Sequence, residues 1–209
     1  MVPYFKVLSG KSDITIAARN ISERGPGLEG NYRKLHGGLS NIDFLYFHSD
    51  KEYKELYSDQ KDKRWAFKYT DKYQLNENVH VEVDWSKASD SLVLRDISGE
   101  ITSIGSEREQ YLNQNISITG EFKNLILKIE QEKNQSLNPL LTNGYEKSPS
   151  VDLSFFKNIG NFLFREYLNI SYFKADALHG FFGIKHSNKY LSSLEAVSYT
   201  HLTLPTKRI

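Results

Sequence analysis

The stretch Val151-Asp-Leu-Ser-Phe-Phe-Lys-Asn-Ile-Gly-Asn-Phe-Leu-Phe-Arg-Glu-Tyr167 decides the fold class, because the period of the apolar residues changes there. Phe156, Ile159, Leu163 and Tyr167 fall at helical spacing, with Asn158, Asn161 and Arg165 opposite. Asp152 or Ser154 supplies an N-cap, a side-chain oxygen that takes a free backbone N–H. This spacing predicts a helix after residue 150. A second helix is expected from Ser187, carrying Tyr190, Leu191 and Leu194, with a buried turn at Gly180–Gly183 between the two.

Upstream the period is two. Trp65, Phe67 and Tyr69 alternate with Arg64, Ala66 and Lys68, and Val79, Val81, Val83 and Trp85 repeat the pattern. Phe5 and Val7, then Ile14, Ile16 and Ala18, predict two strands around Ser9-Gly10-Lys11. Ile42–His48 reads as a strand, Lys51–Tyr57 as a short helix, and Ser91–Ile97 with Gly99–Ile104 as a strand pair. Ser106 and Glu109 fit a capping box, and two more strands are expected around Ile116–Ile118 and Leu125–Ile129. Residues 20–41 hold five glycines and Pro26 and read as a loop. Strands first and helices last predict an α+β fold. Its parts are a mostly antiparallel β-rich body over 1–133, a linker-like loop over 134–150 and a helical segment over 151–195.

The tail from Ala196 to Ile209 is set apart. Val197–Thr206 reads without a mismatch as the translation of a transposase adaptor used to build sequencing libraries, so 196–209 is expected to be non-native. The natural residues 1–195 are then expected to be the N-terminal part of a larger soluble protein. Without Lys207 and Arg208 the 27 basic and 26 acidic residues become 25 and 26, turning the net charge from +1 to −1.

That balance argues against bulk duplex DNA, which selects a basic surface. Aromatics at 13% argue against global disorder. The absence of cysteine excludes disulfides, thiolate zinc sites and a cysteine nucleophile. No secretory leader and no run of roughly 18 apolar residues is visible, so the expected location is cytoplasmic, with no membrane. A protein partner is expected over nucleic acid, and no cofactor is implied.

Three groups of residues carry candidate chemistry. His80, Glu82 and Asp84 stand in a row on one strand face, ~7 Å apart per step, where an imidazole and two carboxylates could take a metal or do acid–base work. Arg24, Arg33, Lys34 and His36 surround Gly25-Pro-Gly-Leu-Glu-Gly30, a G-x-G-x-x-G string without the following helix a dinucleotide site needs. Accessible N–H groups and cations there could cradle a phosphate or nucleic-acid backbone, helped by Arg64 and Lys68. Asp84-Trp-Ser-Lys-Ala-Ser-Asp-Ser91 resembles motif A of RNA-phage-type replicases over eight residues, but no Gly-Asp-Asp follows. With no hydrolase signature present, the expected function is a non-enzymatic binding or structural-interaction module. The alternatives are a nucleic-acid-acting protein and a metal-assisted hydrolase.

Overall fold

Ten successive antiparallel pairings join the strands in chain order. The computed structural model describes residues 2–105, 109–160, 162–175 and 178–192. Eleven strands form one sheet: β1 (Val2–Ser9), β2 (Ser12–Ile21), β3 (Gly25–Leu35), β4 (Gly38–Phe47), β5 (Arg64–Asn76), β6 (Val79–Ala88), β7 (Tyr111–Phe122), β8 (Leu125–Ser136), β9 (Glu146–Ile159), β10 (Phe162–Ala175) and β11 (Leu178–Ser192). Two short helices, α1 (Lys51–Leu56) and α2 (Val93–Asp96), lie in connections. The sheet is open among the described residues, with β1 and β11 at its edges.

The expected α+β class is therefore corrected to an all-antiparallel sheet. Residues 146–192 form three paired strands where two helices were expected. Val151, Leu153 and Phe155 alternate with Asp152 and Ser154, and Gly160, at φ +60°, turns the chain so that Ile159 faces Phe162. Ladder pairing with β8 and β11 then satisfies both sides of this hairpin, which outweighs a helical spacing of four residues. Gly180–Gly183 lies within β11 instead of forming a turn. The glycine-rich segment also contains a strand, β3, where a loop was expected. Its glycines make room for rings: a Cβ on Gly30 would lie 2.4 Å from the Phe44 ring, and one on Gly27 2.5 Å from that of Phe47. Segment 91–104 contains α2 in place of a strand pair. Ser106, Leu194 and the 196–209 tail lie outside the described residues.

Three long connections, 48–63, 89–110 and 137–145, all lie at one end of the sheet, together with the short connection 22–24. At the other end lie the two-residue turns 10–11, 36–37, 77–78 and 123–124, together with the turn at Gly160. The two faces differ as well, because paired residues point the same way. One row runs Tyr73, Val81, Ile118, Ile129, Val151, Ile170 across six strands. The neighbouring row on the opposite face runs Lys72, Glu82, Ser117, Glu130, Ser150, Ser171. The apolar face is the open one: Leu28, Ile42, Ile116, Ile118, Ile129 and Ile170 are all exposed, while Glu29, Asp43, Asp50 and Arg64 are fully buried.

Candidate functional site

Polar residues on alternate positions of the strands bond to one another across the ladder. On β7 and β8, Asn115 Nδ2 donates to Glu130 at 2.8 Å and Lys128 Nζ lies 2.7 Å from the same carboxylate. Lys147 of β9 pairs with Glu132. On β9 and β10, Asn169 Nδ2 donates to Ser150 Oγ at 3.1 Å and Asp152 Oδ1 at 2.8 Å, and the Tyr167 hydroxyl donates to the same oxygen. Ser171 Oγ donates to Asn169 at 2.9 Å. Each bond fills a lone pair that burial would otherwise leave costly, so this face holds polar groups in fixed positions.

At the long-connection end the polar face is covered by the folded 89–105 segment. Leu45, Phe47, Ala66, Ala88 and Leu112 of the sheet meet Val93, Leu94, Ile97 and Ile104 in the buried apolar cluster. Two ionic anchors flank it. Arg64, with no exposed surface, forks onto Asp90 at 3.1 and 2.8 Å and reaches Asp50 and Asp96 at 3.0 Å each. Its guanidinium carbon lies 4.1 Å above the Tyr53 ring centroid. Arg24 joins the same Asp50 at 2.8 Å. Asp50 also caps α1 by accepting from the Tyr53 N–H. Burial pushes the Asp90 carboxyl up, but the Arg64 hydrogen bonds and charge, with Ser89 and the Leu92 N–H, outweigh it and hold it below the ordinary carboxylate range.

The second anchor is Glu29. Its Oε1 accepts the N–H groups of Glu100, Ile101 and Thr102 at 2.8–3.0 Å and the Thr102 hydroxyl at 2.9 Å. Arg19 holds the other oxygen at 3.1 Å. A run of three backbone donors converging on one carboxylate oxygen fixes the loop's course over the sheet.

The candidate residues fall into this frame as follows. His80, Glu82 and Asp84 share the polar face of β6, opposite Thr119, Ser117 and Asn115. Lys72 pairs with Glu82 at 3.1 Å, and Asp84 Oδ1 is buried without a hydrogen-bond partner. Among the described residues no three His, Asp or Glu side chains converge as a metal site. Arg24 and Arg64 lie at the long-connection end, each on carboxylates; Arg33, near the short turns, pairs with Asp13 at 2.9 Å. Lys34 lies on the apolar face and Lys68 on the polar one, while His36 Nε2 touches Ser40 and lies 3.2 Å from Asp71. The six cations do not share a surface.

The anchoring roles of Glu29, Asp50, Asp90 and Asp96 are not among the expectations, although Glu29 and Asp90 fall within motifs noted for other chemistry. The contacts that tie them across the fold, to Arg64 and to the amides of residues 100–102, span 14 to 73 residues, so no local pattern marks this role. The readable signal is different: two-residue turns separating strands whose polar positions alternate with apolar ones over most of their length.

Residues 62–202 match the family described as LptD: LPS transport system D. Curated relatives agree. The LPS-assembly protein LptD of Ectopseudomonas mendocina is 24% identical over 152 residues, covering 72% of this chain and 16% of the relative. That of Salmonella typhi is 26% identical over 160 residues, 75% of this chain and 20% of the relative. That of Shigella dysenteriae serotype 1 is 26% identical over 172 residues, 79% and 21%. The chain thus spans about a fifth or less of the curated relatives it matches. The outer membrane channel DcaP of Acinetobacter baumannii superposes at 8% identity with a TM-score of 0.40, over 89% of this chain and 60% of that one, a likeness too loose to define the fold.

These matches correct the expected soluble interaction module, the cytoplasmic location and the absence of a membrane. The physical reason for the error is the apolar face. In a water-soluble sheet the apolar side turns inward, whereas here Ile42, Ile116, Ile118, Ile129 and Ile170 on that side are exposed. No described helix is long and apolar enough to cross a membrane, but strands cross one by another rule.

Proposed function

The chain belongs to the LptD family of the LPS transport system, and from that membership we propose that it forms an arc of a transmembrane β-barrel wall in the outer membrane. The apolar face meets lipid, and the polar face lines the interior past which the sugar and phosphate portions of LPS travel. The observation that carries this reading is the apolar row from Tyr73 to Ile170, continuous over six paired strands, with Tyr73, Ile118, Ile129 and Ile170 exposed and Val81 and Val151 half-buried. Water-soluble proteins rarely expose a contiguous apolar area above a few hundred Å². Strands β2–β10 run 10 to 14 residues. At ~3.3 Å per residue, tilted strands of this length cross the ~25 Å apolar band of such barrels. The open edges of β1 and β11 require further strands beside them, since unpaired backbone groups cannot face hydrocarbon.

The unequal connections supply orientation. Barrels of the outer membrane place short turns toward the periplasm and long loops outside. With no cysteine in this chain, single cysteines report sidedness directly. In cells carrying the full-length protein without other cysteines, an impermeant maleimide is expected to label Asp59→Cys in the 48–63 connection at once. Asn78→Cys in the 77–78 turn should stay unlabelled until the outer membrane is permeabilised. Equal labelling of both positions in intact cells would overturn the reading.

A further inference from the structure

The ladder between β6 and β7 stops at Trp85 and Gln114. Above that pair β6 stays with β5 through Ala88, while β7 stays with β8 through Tyr111 and Ser136. The two ribbons part, and Gln135 bridges them by bonding both the N–H and the C=O of Ala88, at 2.9 and 2.8 Å. The parting leaves a cleft of about 370 Å³ at the long-connection end, lined by Lys87, Lys133, Lys174, Gln114, Gln135 and Glu146 among others. Register places Lys87 beside Phe67, Lys133 beside Gln114 and Lys174 beside Glu146, all on the apolar side of the sheet.

Three ammonium groups here face one carboxylate. Lys133 Nζ lies 3.8 Å from Glu146 and 5.6 Å from the Trp85 ring centroid. Among the described residues neither Lys87 nor Lys174 pairs with a carboxylate. Directly below, toward the short turns, the same strands present Val83, Ile116, Ile118, Ile129 and Val151. Tyr46, Trp65 and Trp85 mark the boundary between that apolar field and the polar end. A surplus of positive charge with amide donors, seated at the end of an apolar surface, matches an amphiphile whose head is a phosphate.

We propose that this cleft holds the phosphate headgroup of a membrane lipid whose chains lie along the apolar field below it. The site is a fixed lipid position on the outside of the wall, separate from the interior path, and it rests on the barrel-wall reading. A free phosphate ion would use the same cations but gain nothing from the apolar field.

The test uses full-length protein purified in detergent, with retained lipid counted by native mass spectrometry. Wild type is expected to retain a phosphate lipid, offered separately as LPS and as phosphatidylglycerol. The triple variant Lys87→Gln, Lys133→Gln, Lys174→Gln should bind it about tenfold more weakly, each partly exposed charge contributing modestly. Glu146→Gln, which removes the competing carboxylate, should bind it more tightly. Unchanged retention by the triple variant would overturn the site, as would displacement of the lipid by millimolar inorganic phosphate. The Asp59 and Asn78 labelling is repeated on the triple variant: normal sidedness with normal retention rejects the cleft alone, and lost sidedness in the wild type rejects the barrel wall itself.

Discussion

Arg64→Met should release the 89–105 segment from the sheet and lower stability by about 3–5 kcal/mol, the usual cost of removing one member of a buried ionic group. Methionine keeps most of the volume, so the loss isolates the charge. Among the described residues Asp90 then loses its cationic partner and Asp96 keeps only the exposed Arg95, while Asp50 keeps Arg24. The readout is proteolysis within 89–105 and amide exchange at Glu100–Thr102, whose N–H groups point at Glu29. Exchange rates matching the parent would refute the assignment of Arg64 as the anchor. Arg64→Lys should restore the charge but not the fork onto Asp90, giving partial rescue. Acid acts on the same contact. The folded Asp90 carboxyl titrates below its unfolded value, so its contribution is complete above about pH 4 and disappears as pH falls through the lower folded value. Loop release in the parent is therefore expected only in strong acid.

Ile118→Arg should prevent assembly into the membrane or destabilise the assembled protein by about 2–4 kcal/mol, the cost of a cation on the lipid side near mid-depth. Ile118 lies in register with Val81 and Ile129, and its surface is nearly half exposed, so the arginine has no buried carboxylate to meet. Thr119→Arg is the matched control, one residue along and on the polar face beside His80 and Lys128. It should assemble close to normally. The measurement is the yield of heat-modifiable folded protein in outer membranes. Equal yields from the two variants would contradict the assignment of faces.

The local pattern made some of this fold readable. Trp65, Phe67 and Tyr69 do share a face, as do Val79, Val81 and Val83, and α1 starts after Asp50 where a short helix was expected. What misled was the side on which apolar residues belong. In water they turn inward; here the buried set on the polar face is small, Ala17, Leu45, Phe47, Ala66 and Ala88, because a folded loop rather than a second layer covers it. The β9–β10 hairpin was hidden by apolar residues on both faces near its turn. Phe156 and Leu163 lie on the polar side while Ile159 and Phe162 lie opposite, so period two fades there and four residues fit a helix by coincidence. The anchors at Arg64 and Glu29 were unreadable for a different reason. They join segments distant in sequence, and nothing in Glu29 itself predicts three amides from residues 100–102.

The most direct measurement of the wall is a cysteine scan of residues 79–84 in the full-length protein, assembled in outer membranes and free of other cysteines. A water-soluble maleimide and a lipid-phase nitroxide report each position in turn. The expected result is strict alternation: Val79, Val81 and Val83 answer to the lipid probe, and His80, Glu82 and Asp84 to the aqueous one. Aqueous labelling of the three valines would contradict the account.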